Sequence, residues 1–259
     1  MLDTGQRRAF DEQGFVRIPK AFAGPEAAAM EDRVWEILEE RSGARRHDPS
    51  TWRGDRPSHL QSFRTNAVFR AIYGEATLGA IDDLLGAGAW PQPKHSGQFL
   101  ISFPQPGREW TVPSSPWHTD FSFAEVQGDR LGGLLIFAFI ADVPARGGGT
   151  PVVVGGHRLV RAFVESRPEQ VKLEMKVSRR NFLDSDPWLR ALAARTDTGN
   201  RIERFMEREH EIDGVPVRVA ELTGEAGDVI VAHPWLLHVL APNCGDRLRM
   251  GMAQRIRGR

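Results

Sequence analysis

The sequence predicts a mainly β protein with flanking helices, its β part a mostly antiparallel sandwich or barrel. Three observations carry this. Helical apolar stripes occupy the first third of the chain. From residue 97 the texture changes to short apolar runs bounded by Gly, Pro, Asp or Asn. Between those runs, residues 158–210 turn polar and helix-like.

In GPEAAAMEDRVWEILEERSG, Pro25 stands at a first helical position and Gly43 just past the end. Met30, Val34, Ile37 and Leu38 form one apolar stripe between them. NAVFRAIYGEATLGAIDDLLG repeats the pattern through Phe69, Ile72, Ile81, Leu84 and Leu85, with Gly74 and Gly79 weakening it. GQFLISF, GGLLIFAFIADV, TPVVV, VPVRVAEL, DVIVAHPWLLHVL and RLRMGMAQRI then read as strands. The 158–210 stretch, with PWLRALAARTD and RIERFMERE inside it, is too short and polar for a core of its own. It reads as a lid-like insertion. Residues 1–259 are therefore expected to form a single domain. Residues 1–96 are mostly helical and 97–259 carry the β core, with the chemistry in the barrel mouth.

Composition excludes several functions. Lys and Arg total 34 and Asp and Glu total 34, so no global field favours nucleic acid or an anionic membrane. The single cysteine, Cys244, excludes an internal disulfide framework and a cysteine-rich zinc site, and fits a cytoplasmic setting. The N-terminus lacks the apolar run of a signal peptide, and no apolar stretch approaches the roughly 20 residues that span a bilayer. A small-molecule substrate is the expected partner, with anionic compounds among the candidates.

The chemistry-bearing segment is SPWHTDFSF. Trp117, Phe121 and Phe123 make it strand-like, and residues two apart on a strand share a face. His118 and Asp120 therefore point the same way. With one imidazole from another strand they make a 2-His-1-carboxylate face for non-haem Fe(II), leaving open positions for substrate and oxygen. The distal imidazole must come from His233 or His238. An anion-binding Arg is expected on the next strand, where Arg247 and Arg249 share parity. Arg249, Gly251 and Ala253 would line the inner face, with Leu248, Met250 and Met252 turned to the helices.

Over most of its length the chain resembles the phytanoyl-CoA dioxygenase family of Fe(II)- and 2-oxoglutarate-dependent oxygenases. The resemblance rests on FDEQGFVRIPKAF, WHTD, ADVPARGGGTPVVVGGHR and GDVIVAHPWLLHVLAPNCGDRLR. It implies a double-stranded β-helix core, of jelly-roll, cupin-like type. It also implies Fe(II), 2-oxoglutarate and O2 as the reacting set, with succinate, CO2 and a hydroxylated product. Family spacing selects His238, followed by Pro242 and Asn243, with Arg249 eleven residues on. The implied metal ligands are His118, Asp120 and His238. Arg249 is implied to hold the 2-oxoglutarate carboxylate, with Arg247 the alternative.

The sequence departs from the family pattern at Leu240, where a Ser often meets the cosubstrate, and at Gly156, where a Ser often precedes the turn His. Related halogenases replace the carboxylate with Gly or Ala, so Asp120 favours hydroxylation, with desaturation, epoxidation and ring closure as alternatives. Gln98 and Phe137 are candidates beside the cosubstrate, although a strand polar group and core packing explain them too. Arg64, Arg108, Arg179 and Arg180 are candidates for an anionic substrate. His157 reads as a turn residue, Cys244 as packing, and the loop 104–116 as a cover over the site. Two rival functions stay open: another metallo-β-barrel enzyme that needs no 2-oxoglutarate, and a non-catalytic binding module.

Overall fold

The computed structural model describes residues 1–125, 131–196 and 199–259. Its elements in order are α1 (Thr4–Gln13), β1 (Phe15–Ile18), α2 (Gly24–Ser42), α3 (Glu75–Leu85), β2 (Gln98–Ser102), β3 (Gly133–Phe139) and β4 (Thr150–Val154). There follow α4 (Gly156–Ser166), α5 (Met175–Asp184), α6 (Pro187–Ala193), β5 (His210–Ile212), β6 (Val215–Leu222), β7 (Val229–Ala232) and β8 (Arg249–Arg257). Short 3-10 turns link several of them.

The strands form two antiparallel sheets, a larger one ordered β1-β7-β3-β8-β2 and a smaller one ordered β4-β6-β5. The smaller sheet continues beyond β4 through two irregular segments. Val153 N–H donates to Leu237 at 2.9 Å and Val239 N–H to Pro151 at 3.0 Å. His118 and His238 then exchange both backbone hydrogen bonds at 2.9 Å. Two sheets closed around one interior are the expected jelly-roll core.

Strand β3 is buried on both faces, which is why it reads as a continuous apolar run. Leu134, Ile136 and Ala138 pack with Met30, Ile37 and Leu38 of α2. Leu135, Phe137 and Phe139 turn inward onto Val152, Leu222 and Ile230 from both sheets. Each fully buried side chain of this size contributes about 1.5–3 kcal/mol. In β8, Met250, Met252 and Ile256 face the helices while Ala253 faces the interior, as the alternation predicts. The ends of α2 also follow the sequence: Pro25 lies in its first turn and Gly43 closes it in the left-handed conformation, φ 68°.

Four expectations need correction. The helical first third contains β1, whose four residues are too few for a periodic signal. The second helical stretch breaks at Gly74, which is extended between a 3-10 turn (Ala67–Tyr73) and α3. A Cβ there would sit 3.0 Å from the Ala21 carbonyl oxygen. RIERFMERE forms a short π-helical turn, and β5 begins at residue 210, the end of the insertion; Asp197 of PWLRALAARTD lies outside the described residues. The HTD segment is not a regular strand: His118 makes one isolated bridge and Asp120 lies in a bend. Pro116 has no N–H to offer a ladder, and the Thr119 hydroxyl closes a local turn onto the Phe121 carbonyl at 2.9 Å.

The insertion has no separate core. Its Leu159, Phe163, Phe182, Trp188 and Phe205 pack against Val153, Val217, Val219 and Leu237 on the outer face of the smaller sheet. Two buried histidines, His157 at the start of α4 and His233 after β7, meet against the N-terminal helix. His157 Nε2 donates to the Asp11 carbonyl at 3.0 Å, which leaves Nδ1 as a bare acceptor. His233 Nδ1 accepts from Trp235 N–H at 3.0 Å, so its proton sits on Nε2, which has no partner. The two rings lie 4.8 Å apart. Gly14 makes room for them, since a Cβ there would lie 2.5 Å from His157 Nδ1.

Burial pushes both imidazoles below their ordinary value of 6.5, His157 to about 4; Arg158 and Arg161 push His157 in the same direction, and His157 and Arg161 do so for His233. The unfolded chain therefore binds these protons more readily than the folded one. The stabilisation is complete above about pH 6.5 and drains away as pH falls toward 4. Metal-free protein should lose about 2 kcal/mol from His157 between pH 7 and pH 5, and His233 adds a loss in the same direction. Thermal denaturation across that range should show a falling midpoint, with a shallower slope for His157→Gln. Parallel slopes would remove this histidine from the account.

Candidate metal centre

His118 and His238 meet because the backbone bridge between them sets their side chains on one face. Their rings lie 4.2 Å apart. Each ring is held by its own chain two residues back. His118 Nδ1 donates to the Pro116 carbonyl at 3.0 Å and His238 Nδ1 to the Leu236 carbonyl at 2.8 Å. A carbonyl only accepts, so both Nδ1 atoms carry hydrogen and both Nε2 lone pairs are free. The Asp120 carboxylate lies between them, Oδ1 at 3.9 Å from His118 Nε2 and Oδ2 at 3.9 Å from His238 Nε2. One donor atom from each residue falls within 4.8 Å of the other two.

This donor set fits a divalent cation of the iron type. Two neutral imidazoles and one carboxylate on a single face match that preference, and the Nδ1 bonds orient the rings as outer partners of metal-bound histidines do. Burial, reinforced by His118, pushes His238 well below its ordinary value, so the metal-binding neutral form persists in mild acid.

Arg249 opens β8 and is buried. Its position is fixed by the preceding turn. Asn243 Nδ2 donates to the carbonyls of Ser102 at 3.0 Å and Arg247 at 2.7 Å, and its Oδ1 accepts from Gly245 N–H at 3.1 Å. The register then places Arg249 opposite Ser102 on β2. The guanidinium donates to the Thr150 hydroxyl at 2.9 Å. Among the described residues no carboxylate lies within 4.0 Å of it. Burial, helped by repulsion from Arg56, pulls it down to about 10, with Glu221 partly opposing. It stays protonated at neutral pH as a desolvated charge short of an anion.

Phe137 packs edge-on to His238, ring centroids 5.9 Å apart. Gln98 lines a cavity of about 260 Å³ together with Asp120, Arg64 and Arg255. Arg179 of α5 stands close enough to Asp120 and His238 to act on both through its charge. Arg108 and Leu240 line a second cavity, of about 780 Å³, with Arg56 and the loop residues Thr111 and Ser115. Arg180 lines neither cavity. Arg247 is exposed and belongs to the outer side, near Trp35 and Trp52. His233 sits against Phe10 and His157 rather than with the triad. Cys244 is partly buried, its backbone N–H bonded to the Arg146 carbonyl. Gly156 begins α4, with a Cβ position 3.1 Å from Val153, so the turn itself is tight there.

Sequence reasoning missed Arg255 and Arg257, although both share the parity of Arg249 on β8. It also missed Thr150 as the Arg249 partner, and His95 and Arg56, whose approach depends on loops between distant elements.

Residues 10–251 match the family model described as phytanoyl-CoA dioxygenase (PhyH), a span containing the three ligand candidates and Arg249. The chain belongs to the PhyH family. PhyH proteins are Fe(II)- and 2-oxoglutarate-dependent oxygenases. Solved structures share the PhyH fold seen here. EvdMO1 is 16% identical with a TM-score of 0.56, over 98% of this chain and 49% of its own, so this chain spans about half its length. HygX from Streptomyces hygroscopicus, with nickel and 2-oxoglutarate bound, is 14% identical with a TM-score of 0.56, over 99% of this chain and 87% of its own. SnoK, a non-heme alpha ketoglutarate dependent carbocyclase from nogalamycin biosynthesis, is 18% identical with a TM-score of 0.51, over 99% and 84%. No curated protein gives a sequence match. Among the described residues no helix is long and apolar enough to cross a membrane.

Proposed function

We propose that the protein uses Fe(II), 2-oxoglutarate and O2 to hydroxylate an unactivated C–H bond of a small molecule, releasing succinate and CO2. The supporting observation is the meeting of two free Nε2 lone pairs and a carboxylate within 4.8 Å. Strand β4, whose Val152 bridges to His238, also carries the Thr150 hydroxyl that receives the buried Arg249 guanidinium, which has no carboxylate within 4.0 Å among the described residues. In this reading His118, Asp120 and His238 hold the iron. Arg249 takes the far carboxylate of 2-oxoglutarate, with the Thr150 hydroxyl fixing the angle of its fork. Leu240 brings no hydrogen bond to that carboxylate, so Arg249 carries most of the recognition. Phe137 walls the His238 side and Gln98 stands at the mouth beside Asp120. The bound iron and cosubstrate supply oxygen activation, and the chain supplies placement and exclusion of water. The nickel and 2-oxoglutarate in HygX, on the same fold, agree with this assignment. The single cysteine supports a reducing, cytoplasmic setting.

The test is succinate formation from 2-oxoglutarate with Fe(II) and O2, followed by NMR in the absence of added substrate. Slow uncoupled succinate that requires all three components is expected. Turnover of a substrate without 2-oxoglutarate would favour the cosubstrate-free metalloenzyme. No succinate together with no 2-oxoglutarate binding would favour the non-catalytic module.

A further inference from the structure

We infer that the substrate is a small anion, carrying a carboxylate or phosphate, held by Arg64 and Arg179 at the open side of Asp120. This rests on the oxygenase reading above and adds the substrate class.

The cavity of about 260 Å³ beside Asp120 has a basic wall. Arg64, Arg255, Arg257 and His95 line it, and among the described residues Asp120 is its only carboxylate. Arg257 is engaged, since it pairs with Glu125 and lies over the Phe121 ring at 5.2 Å. Among the described residues Arg255 reaches only the Asp120 backbone carbonyl, at 3.4 Å. Arg64 and Arg179, both half-buried, have no ion-pair partner among the described residues. Arg179, on α5 of the insertion, does not line this cavity, but it is half-buried and its charge acts on Asp120 from a separate element. Two guanidinium groups from separate parts of the chain thus approach one metal-ligand carboxylate.

Charge balance turns this crowding into a preference. Fe(II), ionised Asp120, dianionic 2-oxoglutarate and protonated Arg249 together carry no net charge. Once they are assembled, Asp120 no longer compensates Arg64 and Arg179. A neutral substrate would leave these partly desolvated cations unmatched, whereas an anion satisfies them with charge-assisted hydrogen bonds. The volume is below the roughly 300–1,000 Å³ of common ligand pockets, so a small molecule or the anionic end of one enters.

The test uses Mn(II) in place of Fe(II), with 2-oxoglutarate bound and no turnover. Site-bound Mn(II) broadens the NMR signals of any probe that comes near it. The probes are benzoate, phenyl phosphate and uncharged benzamide, which match in ring and differ in charge. Benzoate or phenyl phosphate should be broadened at about tenfold lower concentration than benzamide, the worth of one charge-assisted contact. Arg64→Gln and Arg179→Gln should each weaken the preferred anion by about the same factor. Preference between benzoate and phenyl phosphate separates a carboxylate from a phosphate substrate. Equal broadening by benzamide would overturn the inference, and so would unchanged anion binding in both variants. The wild-type comparison stands even if a variant fails to fold. Loss of Mn(II) or 2-oxoglutarate binding by the wild type would remove the oxygenase reading as well. Intact binding without charge preference would remove this inference alone.

Discussion

Replacing Asp120 with Ala is expected to leave a folded protein that binds Fe(II) at least ~100-fold more weakly and makes only background succinate. The carboxylate is the only anionic donor in the triad. Without it two neutral imidazoles remain, and the charge attraction that distinguishes this site from an ordinary histidine pair is gone. The side chain carries no hydrogen bond of the fold among the described residues, since the Arg255 contact is to the Asp120 backbone. Truncation should therefore leave the circular dichroism spectrum intact. Fe(II) affinity by anaerobic calorimetry and succinate by NMR check both halves. Wild-type affinity in the variant would exclude Asp120 as a ligand.

Arg249→Ala is expected to raise the 2-oxoglutarate requirement by about 30- to 4,000-fold, because truncating one side of a buried charge pair costs ~2–5 kcal/mol. Arg247→Ala should change it less than about threefold, because that side chain is exposed on the outer face. The two variants also differ in the cosubstrate-free state. Arg249 is desolvated and short of an anion there, so its removal should leave the thermal midpoint unchanged or raise it. A midpoint that falls sharply together with the lost affinity would mean that Arg249 supports the fold rather than the cosubstrate. A larger effect from Arg247→Ala would reverse the assignment.

Residue periodicity made the interior legible. The alternation of Leu248 through Ala253 orients β8 correctly, and Arg249 faces inward because of it, whereas the continuous apolar run of β3 marks a strand buried on both faces without telling the two apart. The HTD segment shows where such reasoning is right for an incomplete reason. His118 and Asp120 do converge, but through a bend closed by Thr119 rather than along a strand. The same parity rule extends to Arg255, so part of the basic wall was present in the pattern. Arg179 stood in the sequence only as one of four candidate arginines, and Arg56 did not stand out at all. They approach the site from an insertion helix and a loop, and no local periodicity encodes which way a separate element will pack. Strand β1 escaped notice because four residues carry too little pattern to compete with helical neighbours.

The central claim is that one Fe(II) and one 2-oxoglutarate bind this chain together, the second depending on the first. Anaerobic equilibrium dialysis with labelled 2-oxoglutarate, with and without Fe(II), addresses it directly. The account predicts one iron per chain and 2-oxoglutarate retained only when iron is present. Retention of 2-oxoglutarate at equal affinity without iron, or no stoichiometric iron at all, would contradict it.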